Sequence, residues 1–220
     1  LEHRVRLTLR TLDALGVRKA VFLGHSMGGR MIIDLAAHHP DRVLAAVLLN
    51  AAAGSAFDTA ILTASLRSPR TVAAHLLAAA VDAKGDPARL PAAELRLYLR
   101  VVAGALGRNV RAPLGLTGAL RAIIGSGDFS PMLAAIRRHR LPMVVVHGEK
   151  DGVVPFVNAR DMAERADATL YRVPGAHHSW MLTDPRQAAD MMRQLLGAEL
   201  GRALRRTAAE GRFPDDARGW

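Results

Sequence analysis

The stretch AVFLGHSMGG, from Ala20 to Gly29, constrains this chain more than any other, because an apolar run ends there on a serine boxed by glycines and a helical pattern follows at once. Val21, Phe22 and Leu23 read as a short buried strand, while Met31, Ile32, Leu35 and Ala36 recur at the spacing of one helix face. Ser26 therefore sits on a strand-to-helix turn. Gly24 and Gly28 are expected to be glycine because a side chain at either place would crowd a serine whose own backbone is strained. The helix that follows would aim its free N–H groups and its positive dipole end at the serine oxygen, a setting suited to an oxyanion. The plainer alternative is a Gly-rich turn with no chemistry, so the choice rests on whether the chain also supplies partners for the serine.

The pattern around this turn is that of alternating strands and helices. Leu1 to Leu15 carries Val5, Leu9, Leu12 and Leu15 between arginines, an amphipathic helix stopped by Gly16. After the turn, a helix from about Met27 to His38 ends before Pro40, and Val43 to Leu49 is a second continuous apolar run. Strand, helix and strand in this length make a βαβ unit, so the strands should be parallel with a right-handed crossover. From about Ser55 to Arg140 no strand pattern occurs; helical patterns are broken by Pro69, Pro87, Pro91, Pro113 and Pro131, which predicts a helical insertion. Met143 to His147 is the third strand, followed by the polar turn GEKDG and a helix from about Phe156 to Arg165; Thr169 to Val173 is the last strand. A helix from about Pro185 to Leu196, a second helical piece and the polar end EGRFPDDARGW complete the chain. The expected division is residues 1–54 and 141–200 as two parts of one α/β core, 55–140 as the insertion and 201–220 as a polar tail.

The 220 residues fit one domain, and half of them are hydrophobic. The absence of cysteine removes disulfide frameworks, thiolate zinc sites and cysteine nucleophiles. No apolar run approaches the roughly 18 residues of a membrane span, and a soluble, cytoplasmic protein is expected. The chain opens on Leu1 inside a helical pattern, without a methionine or a signal-peptide pattern, so a start upstream is expected. Net charge is +10, and nine arginines between Arg89 and Arg140 face only Glu94 and Asp128. Such a surface attracts anionic lipid or acidic substrates. Nucleic acid is not expected as a partner, since no recognition motif accompanies the charge and aromatics make up 4% of the chain.

A serine hydroxyl is a poor nucleophile unless a base accepts its proton and a third group orients that base. Both candidates lie on loops after late strands: Asp151 in HGEKDGVVP and His178 in PGAHHSW. Glu149 and Asp58 are rivals for the acid, and His177 is the rival for the base. His38, His39, His75 and His139 lack a strand-end context. The order Ser, Asp, His at the carboxyl edge of a parallel sheet, together with the G-x-S-x-G turn, resembles the α/β-hydrolase superfamily, in its lid-bearing branch of small esterases, lipases and carbon–carbon hydrolases.

That resemblance covers nearly the whole chain. It implies a metal-free, cofactor-free hydrolase of an ester or related acyl bond in a small-molecule substrate. Ser26 would be the nucleophile, His178 the general base and then acid, and Asp151 the group that fixes the imidazole tautomer. Met27 would give one backbone N–H of the oxyanion hole, and His25 would be structural. Residues 55–140 would be the lid, with Leu76, Leu77, Leu95 and Leu99 partly roofing an acyl pocket. An acyltransferase, a cofactor-free haloperoxidase and a non-catalytic protein of the same fold are the alternatives. The sequence departs from the family pattern before the serine strand, where the family has further strands and a loop giving the second oxyanion donor. Its four strands correspond to the family's last four, so weak hydrolysis and an exposed sheet edge are expected of these 220 residues.

Overall fold

The computed structural model describes residues 1–60, 90–111, 122–123 and 125–209. Four strands, β1 (Ala20–His25), β2 (Val43–Leu49), β3 (Met143–Gly148) and β4 (Thr169–Val173), pair in the order β1-β2-β3-β4, every pair parallel. The helices are α1 (Glu2–Ala14), α2 (Met27–His38), α3 (Ala92–Arg111), α4 (Ser130–Arg138), α5 (Phe156–Ala166), α6 (Trp180–Thr183), α7 (Pro185–Gly197) and α8 (Glu199–Ala209). A 3₁₀ turn at Pro40–Arg42 was not marked by the sequence pattern, whereas a helical turn over 55–60 falls at the start of the expected helical insertion.

The two central strands have nearly every residue buried, as a sheet covered on both faces requires. Alternation along them divides the core. Ala46, Leu48, Met143 and Val145 point to one side, where they meet Ile32, Ile33, Leu35 and Ala36 of α2, Leu133 and Ile136 of α4 and Met162 of α5. Ala45, Val47, Leu49, Val144 and Val146 point to the other, against Trp180, Leu195, Leu200 and Ala203. Among the described residues β1 pairs only with β2, and Leu23 near its end is exposed.

Two expected boundaries shift for the same physical reason, burial. The insertion was expected to run to residue 140, yet α4 at its end is a core helix: Phe129, Leu133 and Ile136 are fully buried against α2 and α5. The polar tail was expected to begin at residue 201, yet α8 runs to Ala209 and buries Leu200 and Ala203 against the sheet, with Tyr171 of β4 donating to Glu199 at 2.9 Å. The residues 210–220 lie outside the described residues. Of the expected roof, Leu76 and Leu77 also lie outside them, whereas Leu95 is half-buried and Leu99 exposed on α3.

Candidate active site

Ser26 sits between β1 and α2 with φ 54° and ψ −120°, a conformation in which a non-glycine residue is strained. The strain persists because the neighbouring backbone holds it from several sides. The Ser26 N–H donates to the Leu49 carbonyl at 3.0 Å, and its own carbonyl accepts from Gly29 and Ala52, each at 3.0 Å. Close approach explains two of the glycines here. A Cβ on Gly24 would lie 2.5 Å from Ile32 Cδ1 and 2.7 Å from the Gly28 carbonyl, and one on Gly29 would lie 2.5 Å from the Ala51 Cβ. Gly28 does not share this role, contrary to expectation: a Cβ there meets no described atom within 4 Å. The turn is crowded where α2 crosses its own strand and the β2 loop, and the side-chain direction of Gly28 points to open space among the described residues.

Asp151 and His178 are brought together from the loops after β3 and β4. His178 Nδ1 donates to Asp151 Oδ2 at 2.8 Å, both side chains being buried. Because a carboxylate only accepts, the neutral imidazole keeps its Nε2 lone pair free. The two loops meet over Gly148, where a Cβ would lie 2.5 Å from the Ala176 carbonyl and 2.7 Å from that of His177. Lys150 N–H also donates to the Ala176 carbonyl at 2.8 Å. The His178 loop is tied to the serine turn by His25, whose Nε2 donates to the His178 carbonyl at 2.9 Å, with the two rings 4.8 Å apart. His25 is therefore a structural link. Burial, with the neighbouring His178 imidazole, holds its pKa below the ordinary histidine value.

Asp151 is held by more than its histidine. Its Oδ1 accepts the N–H groups of Val153 at 2.9 Å and Val154 at 2.8 Å, an aspartate turn that fixes the carboxylate plane. Its Oδ2 also accepts from Asn50 Nδ2 at 2.7 Å, and His147 Nε2 lies 3.2 Å away while donating to the Val154 carbonyl at 2.7 Å. Burial alone would push this carboxyl up, but the His147 imidazole beside it and the hydrogen bonds from His178 and Asn50 outweigh it and hold the pKa well below the usual carboxylate range. Asn50 in turn accepts from Trp180 Nε1 at 2.9 Å, so one buried amide bridges the ends of β2, β3 and the start of α6.

The rivals stand elsewhere. Glu149 is on the surface, bonded to the Gly175 N–H and to Arg172. Asp58 is buried and paired with Arg30. His177 is half-buried beside a cleft of about 550 Å³ that also takes Leu90, Glu94, Lys150 and Trp180 in its walls, and neither Ser26 nor His178 lines it. Met27, at the first position of α2, has a backbone N–H with no helical acceptor to reach, and Arg4 Nη1 lies 3.3 Å from its sulfur. Sequence reasoning missed Asn50, His147, Trp180 and Arg30 as parts of this region. A signal existed for two of them: Asn50 ends a strand of unbroken apolar residues, and Arg30 interrupts the apolar stripe of its helix.

A parallel sheet with helices on both faces, a strained serine on the turn after β1 and a buried Asp–His pair after the last two strands define the α/β-hydrolase class, and the chain belongs to that fold family: residues 2–185 match its family model. It is an enzyme of that class. A protein named "Putative non-heme haloperoxidase" from Mycobacterium phage D29 is 39% identical over 198 residues, which cover 87% of this chain and 68% of the relative. A pimeloyl-[acyl-carrier protein] methyl ester esterase from Aromatoleum aromaticum is 29% identical over 80% of this chain and 74% of its own. Among solved structures, an esterase from a Rhodococcus species superposes with a TM-score of 0.53 at 25% identity, covering 86% of this chain and 69% of the other.

Proposed function

We propose that this protein cleaves a carboxylic ester or related acyl bond in a small-molecule substrate through an acyl-enzyme on Ser26. As the Ser26 oxygen attacks the acyl carbon, its proton passes to His178 Nε2, and Asp151 stabilises the imidazolium without taking the proton. The oxyanion that forms accepts from the Met27 N–H at the positive end of α2. Collapse breaks the bond to the alcohol, which leaves with the proton from His178. Water then repeats the sequence and releases the acid. The observation that carries this reading is the 2.8 Å bond from His178 Nδ1 to Asp151, which leaves Nε2 as the basic nitrogen on a loop pinned to the serine turn by His25.

The similarity to a haloperoxidase supports a second outcome of the same intermediate, in which hydrogen peroxide rather than water takes the acyl group and a peracid leaves. The lid role of the insertion, from residue 55 to the residues before α4, and an anionic lipid surface as partner belong to the proposal as well. They draw on the exposed Leu97, Leu99 and Val101 of α3, which stand among Arg96 and Arg100.

Turnover of a small activated ester by wild-type protein and by Ser26→Ala tests the reading. The variant is expected to lose activity by about a thousandfold or more while keeping its fold. Retention within a few-fold would overturn the assignment of Ser26. Repeating the wild-type assay with hydrogen peroxide, and measuring peracid, separates the two fates of the acyl group.

A further inference from the structure

Arg30 lies one turn beyond Ser26 on α2 and is 1% exposed. Its guanidinium donates from Nε to Ser126 Oγ at 2.7 Å, from Nη1 to the Ala52 carbonyl at 2.9 Å and to Asp58 Oδ1 at 2.5 Å, and from Nη2 to the Gly127 carbonyl. Its plane also lies over the Phe129 ring, 3.8 Å from the centroid. Asp58 spends its other oxygen on the Phe129 N–H at 3.0 Å. Burying such a pair is unfavourable unless nearly every donor and acceptor is satisfied, and here they are. Burial lowers the Arg30 pKa and raises that of Asp58, each opposed by the hydrogen bond between them.

The partners of this pair come from three separate stretches. Asp58 belongs to the segment that leaves the core after β2, Ser126 to Phe129 belong to the segment that returns to it before α4, and Ala52 lies in the loop whose N–H donates to the Ser26 carbonyl at 3.0 Å. One guanidinium thus grips both sides of the Ala52 link: its own helix begins at the serine, and the carbonyl it holds belongs to the residue that holds the serine. Phe57, next to Asp58, donates its N–H to Asn158 Oδ1 of α5, which anchors the departing segment further.

We propose that Arg30 and Asp58 are positioning residues for the nucleophile, forming a buried strut that fixes the two ends of the insertion against the serine turn and acts on Ser26 through the Ala52 peptide. The inference rests on Ser26 being the nucleophile. Without the strut, the loop over 51–54 gains freedom, and the strained backbone of Ser26 loses one of the bonds that hold it. A small displacement of an attacking atom lowers kcat steeply, whereas binding of a short ester is little affected.

The test compares wild-type protein, Arg30→Lys and the double variant Arg30→Met/Asp58→Leu. The lysine keeps the charge opposite Asp58 but cannot reach Ala52, Ser126 and Gly127 together. The double variant replaces the pair by apolar groups, a change that commonly preserves stability. In both, kcat for a short activated ester is expected to fall about 10- to 100-fold, with KM within about twofold. The rate of Ser26 labelling by a fluorophosphonate should fall in the same proportion. The acid limb of the pH–rate profile should stay in place, because the His178–Asp151 pair is untouched. A folded variant with wild-type melting temperature, kcat and labelling rate would overturn the proposal and leave the pair a purely structural one. Wild-type protein that neither turns over nor labels would instead refute Ser26 as nucleophile. Hydrogen exchange of the unaltered protein gives a further check that needs no variant: the Ala52 and Phe129 amides should show matching protection, and exchange at Phe129 alone about tenfold faster or more would contradict a single strut.

Discussion

Asn50 shows how the site is built at the scale of single residues. An amide cannot serve as a triad acid, yet its two ends bond Asp151 and Trp180 and so set the position of the buried carboxylate. The resemblance favours His178 over its neighbour His177 as the base; in the fold His178 meets Asp151 and His177 turns to the neighbouring cleft. The histidine on the other side of the serine, His25, carries a pH dependence. Burial lowers its folded pKa, so as pH falls through the unfolded value of about 6.5 the unfolded chain takes up the proton first and stability drops. Asp151 acts in a lower window: its depressed carboxyl contributes fully above about pH 4 and the contribution is lost as pH falls further. Urea midpoints should therefore decline from pH 7 to pH 5, and His25→Gln should flatten that decline. An unchanged slope in the variant would show that another group carries it.

At the scale of elements, the strands and helices near the serine were legible because each has a single strong period and a clear stop. Val43–Leu49 and Thr169–Val173 fall where their apolar runs place them. The turn glycines were only half legible. G-x-S-x-G directs attention to Gly24 and Gly28, but which glycine is crowded depends on the path of the β2 loop, a tertiary fact no local pattern carries. Gly24→Ala is expected to destabilise the fold by about 1–3 kcal/mol, since Ile32 and the Gly28 backbone would have to shift. Gly28→Ala, on an open helical position, should be neutral or stabilising by up to about 1 kcal/mol. Equal melting temperatures for the two variants would contradict the packing described here. The short α6 also escaped the sequence reading, because four residues are too few to show a helical period; its Trp180 joins the apolar layer on that side of the sheet and donates to the Asn50 amide oxygen.

At the scale of the molecule, alternation along two buried strands assembles two apolar layers, one under α2, α4 and α5 and the other under α7 and α8. Polarity misled the reading of both ends of this arrangement. The arginines of α4 and α8 suggested solvated segments, but each helix also carries a narrow apolar stripe that the sheet covers: Leu133 and Ile136 in one, Leu200 and Ala203 in the other. The candidate site lies where the layers converge, at the carboxyl edge of the sheet, and the proposed chemistry depends on Ser26 acting as a nucleophile there. The most direct test is to treat the protein with a fluorophosphonate at neutral pH and locate the adduct by peptide mass spectrometry. The account predicts a single adduct, on Ser26, that fails to form in His178→Ala. Wild-type protein that stays unlabelled, or that carries its adduct on another residue, would contradict it.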